Sequence, residues 1–105
     1  MPGYELTPDA EEDLLAIACY TIKTWGAEQA DHYETALVAC FEALGKGQAR
    51  TTAPVEHRPE LRVCRCQHHY IFSLCAENAP PLIVAVLHEN MDLLARLQGR
   101  LDQGA

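Results

Sequence analysis

The feature that most constrains the fold is an uninterrupted apolar run at residues 82–87, Leu-Ile-Val-Ala-Val-Leu. A run this short is typical of a strand that is covered on both faces or flanked at both edges. Two further apolar segments precede it, separated by Gln67-His68 and by residues 77–81. Connections of this length are too short for parallel crossovers, so the sequence predicts an antiparallel three-stranded meander, with residues 82–87 at the centre of the sheet.

The first half of the chain predicts a helical hairpin. Thr7-Pro8-Asp is a helix start, because Thr7 accepts orphan amide hydrogen bonds and proline suits the first helical position. Apolar residues then recur at helical spacing as far as Trp25, and Gly26 ends the helix. A second amphipathic helix follows at once and ends at Gly45. So tight a connection predicts two antiparallel helices whose apolar stripes pack on the sheet.

Together these elements predict one α+β domain that spans residues 1–105. A strand at residues 3–7 comes first, the hairpin packs on a small and mainly antiparallel sheet, and a polar loop at residues 48–59 connects the two. A short C-terminal helix begins with Asp92 as N-cap, carries a stripe of leucines and ends at Gln103. At 105 residues the chain is well below the roughly 250 residues at which separate cores arise.

Charge is divided unevenly along the chain, whose formal net charge is −7. Residues 1–45 hold nine acidic groups and one lysine, whereas residues 46–105 hold Lys46 and six arginines against six acids. The first half should repel nucleic acid, so direct sequence-specific nucleic-acid binding is not expected, although a polyanion could meet the arginines of the second half. A partner with a basic face is equally compatible with this distribution.

No apolar run approaches the roughly 20 residues of a membrane span, and the N-terminus lacks a signal pattern, so we expect a cytoplasmic protein without membrane association. The five cysteines do not form a disulfide framework and predict reduced, mostly buried thiols.

The segment Cys64-Arg-Cys66-Gln-His68-His69 contains thiol and imidazole groups of the kind that bind zinc. On a strand the two cysteines share one face, but they lack the usual turn spacing of zinc ligands. Buried cysteines and a turn histidine are the favoured interpretation, so no metal and no cofactor is predicted. A cysteine nucleophile would need a positioned base and a lowered pKa, and no signature of one surrounds these residues.

His88 closes the most apolar strand and has two interpretations. It could act as an acid or base. The favoured interpretation is that it hydrogen-bonds the following turn and caps the last helix, because buried polar groups must be paired.

Two groups of side chains suggest surfaces. The arginines of the second half are predicted to lie close enough together to grip phosphate or acidic side chains, namely Arg58, Arg62, Arg65, Arg96 and Arg100. Tyr20, Trp25 and Tyr33 have acidic neighbours, and therefore indicate core or groove positions rather than platforms for stacked bases.

The order of these segments resembles the RelE/ParE toxin superfamily, and within it the ParE branch of plasmid-stabilisation proteins. The matching segments are spread over almost the whole chain. They are Leu6-Thr-Pro-Asp-Ala-Glu-Glu-Asp-Leu14, Trp25-Gly-Ala-Glu-Gln-Ala30, Arg58-Pro-Glu-Leu-Arg62, His69-Tyr-Ile-Phe72 and Ile83-Val-Ala-Val-Leu-His-Glu-Asn-Met-Asp92. The resemblance implies a bacterial type II toxin that a ParD-like antitoxin wraps and neutralises.

Within this superfamily, ParE members poison DNA gyrase and RelE members are ribosome-dependent ribonucleases. An RNA-cleaving site needs cationic groups around the phosphate, whereas this chain is acidic and has Ser73 where the family often has tyrosine. We therefore expect a non-enzymatic ParE-like inhibitor of DNA gyrase with no catalytic residue. The alternative is a RelE-like ribonuclease that uses His88 and the arginines, and a third hypothesis is an inert member that binds antitoxin without toxicity.

Two sets of contact residues follow from the charge division and the resemblance. The predicted target-binding residues are Arg58, Arg62, Arg65, His88, Met91 and Arg96. The predicted antitoxin-binding residues lie in a groove between the hairpin and the sheet, which would accept an amphipathic helix, and are Tyr20, Trp25, Tyr33 and Leu37.

Overall fold

The structure, a computed structural model, describes residues 3–104, with side chains as far as Leu101. The predicted α+β architecture is confirmed. In chain order the elements are β1 (Glu5–Leu6), α1 (Pro8–Trp25), α2 (Ala27–Gly45), β2 (Leu61–Cys66), β3 (His69–Leu74), β4 (Leu82–His88) and α3 (Leu93–Gly104).

The sheet has the strand order β1-β4-β3-β2, which confirms the apolar run as an interior strand. Strands β2, β3 and β4 form the predicted antiparallel meander, and β1 lies parallel to β4 with Glu5 opposite Leu82. The first strand is shorter than predicted because Thr7 already belongs to the helix start. The Thr7 N–H donates to the Ile83 carbonyl at 3.0 Å, while Thr7 Oγ1 accepts the Ala10 N–H at 3.1 Å.

Both faces of the sheet are covered, which explains why β4 is apolar at every position before His88. The hairpin covers one face, where Ala10 of α1 and Leu37 and Phe41 of α2 are at most 1% exposed. Helix α3 covers the other face, where Leu97 packs against Phe72, Val84, Ala85 and Leu87. The sharp reversal between α1 and α2 is made by Gly26 at φ +96°, a conformation that L side chains rarely adopt.

Strand β4 contains an extra residue, Val84. Phe72 of β3 lies opposite Ala85, but Ser73 lies opposite Ile83, so Val84 has no partner in the ladder. Such a bulge twists a strand and redirects its backbone groups. Strand β1 pairs only with Leu82 and Ile83, and the edge of β4 beyond Ile83 is therefore without a paired strand among the described residues.

An ion pair occupies this edge. Asp13 of α1 accepts the Val86 N–H at 3.0 Å, and Arg100 of α3 donates to the Val84 carbonyl at 2.9 Å. Arg100 also donates to both carboxylate oxygens of Asp13, at 2.7 and 2.9 Å. The Asp13–Arg100 pair thus satisfies backbone groups that the bulge and the short β1 leave open, and it joins α1, β4 and α3.

Two details differ from the sequence prediction. Helix α3 has Asp92 as N-cap as predicted, since Asp92 Oδ1 accepts the Ala95 N–H at 3.3 Å, but it continues to Gly104. The last residue, Ala105, lies outside the described residues. The expected burial of most thiols holds for Cys64 and Cys66 only, because Cys19 is exposed and the other two are half-buried.

Over the part of the chain that the structure covers, no helix has the length and apolarity needed to cross a membrane.

Candidate partner-binding site

An open cleft of about 580 Å³ lies between the hairpin and one end of the sheet. We call it the aromatic cleft. It lies where α1 ends, α2 begins, β2 turns into β3 and β4 ends. Its lining residues are Tyr20, Thr21, Trp25, Gln29, Tyr33, His68, His88, Glu89 and Asn90.

The aromatic side chains of α1 in this cleft are not core residues. Tyr20 is 66% exposed and Trp25 is 69% exposed, although large aromatic side chains usually bury most of their surface. Tyr20 flanks the buried stripe of α1, and Trp25 follows its last buried residue, Thr21, by one helical turn at the end of the helix. Their exposure indicates a surface for a partner.

Tyr33 connects α2 to the β2–β3 turn and to the start of β3. Its hydroxyl accepts the His68 N–H at 3.1 Å and lies 2.6 Å from His69 Nδ1. The hydroxyl can donate its own proton to His69 Nδ1 while it accepts the His68 N–H, and the neutral His69 ring would then carry its proton on Nε2. Burial raises the pKa of Tyr33, which keeps this hydroxyl protonated.

His69 is 9% exposed and packs edge-on against Tyr33 and His88, with ring centroids 5.4 and 5.1 Å apart. Burial, and then the neighbouring His88 and His68, lower the pKa of His69 to about 4. His69 is therefore neutral at neutral pH.

His88 accepts the Asn90 N–H through Nδ1 at 3.1 Å, so the prediction that it hydrogen-bonds the following turn is confirmed. The prediction that it caps the last helix is wrong, because Asp92 caps that helix.

A charged group borders the cleft on the side of the β2–β3 turn. Glu89 pairs with Arg65 and accepts a hydrogen bond from His68 Nδ1 at 2.9 Å. The hydrogen bond from His68, together with the charge of Arg65, lowers the pKa of Glu89. Arg65 also donates to Tyr70 Oη at 3.3 Å and lies over the Tyr70 ring. This carboxylate and this guanidinium therefore neutralise each other.

A second groove, the strand-edge groove, continues from the aromatic cleft along α1 and has a volume of about 420 Å³. The two cavities share Tyr20, His88 and Asn90. The strand-edge groove is more apolar, and Met91, which is 43% exposed, lies at its border. The cavities therefore form one continuous surface beside the open edge of β4.

The structure brings together three of the four residues predicted to contact the antitoxin. Tyr20, Trp25 and Tyr33 line the aromatic cleft. Leu37 does not, and its prediction requires correction: it is 1% exposed in the hairpin-side core, because its position on α2 points at the sheet. His88 and Met91, predicted as target contacts, lie on the same surface as these aromatic residues.

The predicted cluster of arginines is wrong as a group. Arg62 donates to the Thr51 hydroxyl and carbonyl, both at 2.9 Å, and fixes the loop before β2. Arg65 is paired with Glu89, and Arg100 is held by Asp13 in the interior. The side chains of Arg58 and Arg96 lie at the surface, and Arg58 Nε is 3.3 Å from Glu60 Oε2. Arg65 and Arg100 are thus engaged by acidic partners distant in sequence, and Arg62 by the loop before β2.

Cys64 and Cys66 face the hairpin-side core. Burial raises the pKa of Cys64 to about 11 and that of Cys66 to about 12, and the Cys66 thiol donates to the Ala36 carbonyl at 3.5 Å. Protonated thiols are poor nucleophiles and poor metal ligands. In the part of the chain that the structure describes, no three His, Cys, Asp or Glu side chains are grouped to hold a metal ion.

His68, Glu89 and Asn90 also line this surface, although none of them was predicted as a contact residue. A signal for them exists in the meander, because antiparallel pairing of β3 with β4 brings the residue after β4 beside the β2–β3 turn. The Glu89 N–H donates to the His68 carbonyl at 2.9 Å. Turn residues of a predicted meander can thus be placed together once its register is known.

Comparisons with known proteins agree with this fold and its sequence pattern. Residues 4–93 match the family model described as the ParE toxin of a type II toxin–antitoxin system, parDE. The chain is 44% identical to Toxin ParE of Escherichia coli over 101 residues, which cover 96% of this chain and 98% of that protein. The fold is similar to that of a chain from the chromosomal ParDE system of P. aeruginosa, with a TM-score of 0.66 at 18% identity, covering 81% of this chain and 92% of that one.

Proposed function

The chain belongs to the ParE toxin family of type II toxin–antitoxin systems, and on this premise we propose that a ParD-like antitoxin neutralises it by docking in the aromatic cleft. The observation that carries this proposal is the pair of aromatic side chains, Tyr20 and Trp25, each about two-thirds exposed beside Tyr33. Exposed tyrosine and tryptophan in a concave surface are typical of the residues that dominate protein interfaces.

We further propose that the toxin acts by binding DNA gyrase rather than by catalysis. Three of the arginines that an RNA-cleaving site could use are engaged within the fold. The thiols of β2 are held protonated, and His69 is held neutral. Arg58 and Arg96 remain at the surface for an acidic target, with Met91 at the start of the α3 region.

Induced expression and an assay with purified gyrase test the target. Growth should stop on induction, and the purified toxin should inhibit supercoiling of relaxed plasmid by gyrase. Arg96→Glu should reduce this inhibition because it reverses an exposed charge on α3, whereas Arg50→Glu, also exposed but in the loop after α2, should not. Growth arrest with unchanged supercoiling would rule out gyrase as the target.

One observation favours the alternative, a ribosome-dependent ribonuclease: His68, His88 and Glu89 lie together in the cleft. An imidazole and a carboxylate within reach of one substrate can act as acid and base. Primer extension on messages after induction distinguishes the two functions. Cuts linked to codon position would support the ribonuclease, and uncut messages in arrested cells would support the inhibitor.

A further inference from the structure

The surroundings of the aromatic cleft are acidic. Of the exposed acids on the hairpin, Glu28, Asp31 and Glu34 lie in the first turns of α2, next to Gln29 and Tyr33 of the cleft, whereas Glu11, Glu12 and Glu42 lie farther along the helices. Lys23, two residues before Trp25, is the only lysine or arginine between residues 8 and 45. Glu28 directly precedes Gln29, which lines the cleft. The potential around the opening therefore attracts cations, and it disfavours a segment that carries carboxylates.

The cleft itself offers an incoming group no free guanidinium or ammonium. Among its lining residues there is no lysine or arginine, and the neighbouring Arg65 is held by Glu89 and Tyr70. Each rim histidine has one ring nitrogen engaged, His68 Nδ1 with Glu89 and His88 Nδ1 with the Asn90 N–H. An acidic side chain entering this cleft would thus lose its hydration without gaining an unpaired cation.

The aromatic rings are suited to a cation. Tyr20 is 66% exposed and Trp25 is 69% exposed, so much of each ring surface is open to a ligand. The face of an aromatic ring attracts ammonium and guanidinium groups, and tryptophan does so most strongly. Guanidinium is the better match, since it is planar, weakly hydrated and able to stack on a ring.

We propose that the antitoxin segment that occupies the aromatic cleft is basic, and that it places an arginine or lysine side chain against Trp25 and Tyr20. This inference rests on the proposed docking of an antitoxin in the cleft and adds the chemistry of the segment that docks there. The acidic hairpin attracts the segment as it approaches, and the aromatic rings hold its cation once it is bound.

Calorimetric titration of the full chain with three synthetic helical peptides tests the proposal. The peptides share one apolar stripe and carry arginine, glutamine or glutamate at their other positions. At 50 mM salt the arginine peptide should bind about tenfold or more tighter than the glutamate peptide, with the glutamine peptide between them. At 300 mM salt the difference should shrink, because salt screens exposed charges.

Substitutions then locate the binding site. Trp25→Ala should weaken binding of the arginine peptide about fivefold, and Trp25→Phe, which retains an aromatic face, should restore part of that affinity. Leu94→Ala is the matched control, since Leu94 is 68% exposed on α3 and lies outside the cleft. Because Trp25 is also largely exposed, its removal should leave the free energy of unfolding nearly unchanged.

Equal binding of the three peptides, tighter binding of the glutamate peptide, or no binding by any of them would each overturn the inference. Co-expression separates this failure from failure of the proposed function. An antitoxin that rescues growth and loses affinity for Trp25→Ala, but whose contacting segment is acidic, overturns only the inference. An antitoxin that neither binds nor rescues overturns the proposed function itself.

Discussion

At the scale of single residues, the site depends on one buried histidine that is kept neutral. His69 stands between Tyr33 and His88, and its hydrogen bond to the Tyr33 hydroxyl joins α2 to the start of β3, beside the cleft and the strand-edge groove. A protonated ring would place a charge in a buried position and would lose the acceptor that Tyr33 uses. The geometry of the cleft is therefore linked to the protonation state of this side chain.

This linkage predicts a pH dependence of stability. The pKa of His69 falls from 6.5 to about 4 on folding, so the unfolded chain binds the proton more tightly between these values. The stability contribution of neutral His69 should be complete above pH 6.5 and be lost as the pH falls to about 4, with a slope of up to about 1.4 kcal/mol per pH unit. Urea unfolding across this range measures it.

The slope should decrease in His69→Gln, which cannot titrate, and remain in His57→Gln, which removes an exposed loop histidine. Carboxylates also titrate in this range, so the difference between the parent and His69→Gln is the relevant quantity. Parallel pH curves for the parent and His69→Gln would contradict the assignment.

A second prediction at this scale concerns Gly45 at the end of α2. A Cβ built on Gly45 would lie 2.6 Å from the Gly3 carbonyl oxygen, which is backbone and cannot rotate away. Gly45→Ala should therefore lower the free energy of unfolding by about 1–3 kcal/mol, the usual cost of overpacking. Gly99→Ala in α3, where nothing lies within 4 Å, should instead stabilise the protein by up to about 1 kcal/mol. Urea denaturation of the two variants compares them, and an unchanged Gly45→Ala would show that the N-terminal segment moves freely.

At the scale of elements, the sequence predicts those features that depend on residues close together along the chain. The Thr7 cap and the Gly26 reversal set the bounds of α1, and the period of apolar residues sets the meander. The bulge at Val84 could not be predicted, since no glycine or proline marks it and the polar groups that satisfy it come from Asp13 and Arg100, which are 87 residues apart. The pairing of Arg65 with Glu89 and of Arg100 with Asp13 has the same origin, because these partners meet only in the folded chain.

The Asp13–Arg100 pair yields a prediction about α3. The side chains are 15% and 22% exposed, and removing one leaves a poorly solvated charge and open backbone groups on β4. Asp13→Ala or Arg100→Ala should therefore cost about 2–4 kcal/mol, slightly less than for a fully buried pair. Hydrogen exchange of the α3 amides should accelerate at the same time. Arg96→Ala, on the exposed side of the same helix, should stay within about 0.5 kcal/mol of the parent. Equally fast exchange of the α3 amides in Asp13→Ala and in the control Arg96→Ala, or unchanged exchange in Asp13→Ala, would show that Asp13 does not hold α3.

At the scale of the whole molecule, charge and shape divide its surface. The acidic hairpin and its exposed aromatic residues form one side, and Arg58 and Arg96 lie on the part of the chain that carries most of the positive charge. The division could be predicted from the sequence. The position of His88 and Met91 beside the hairpin could not, since it depends on the register of the sheet and on the turn after β4.

This position predicts how neutralisation works. If an antitoxin fills the aromatic cleft and extends into the adjoining strand-edge groove, it covers His88 and Met91, which are part of the proposed target surface. Antitoxin and gyrase should therefore exclude each other, and gel filtration of the three proteins should give two binary complexes and no ternary one. Trp25→Ala, which weakens antitoxin binding alone, should shift the mixture toward the gyrase complex, whereas Arg96→Glu should shift it toward the antitoxin complex. A stable ternary complex would contradict neutralisation by overlap, and would require that bound antitoxin act on gyrase inhibition through the toxin's conformation instead.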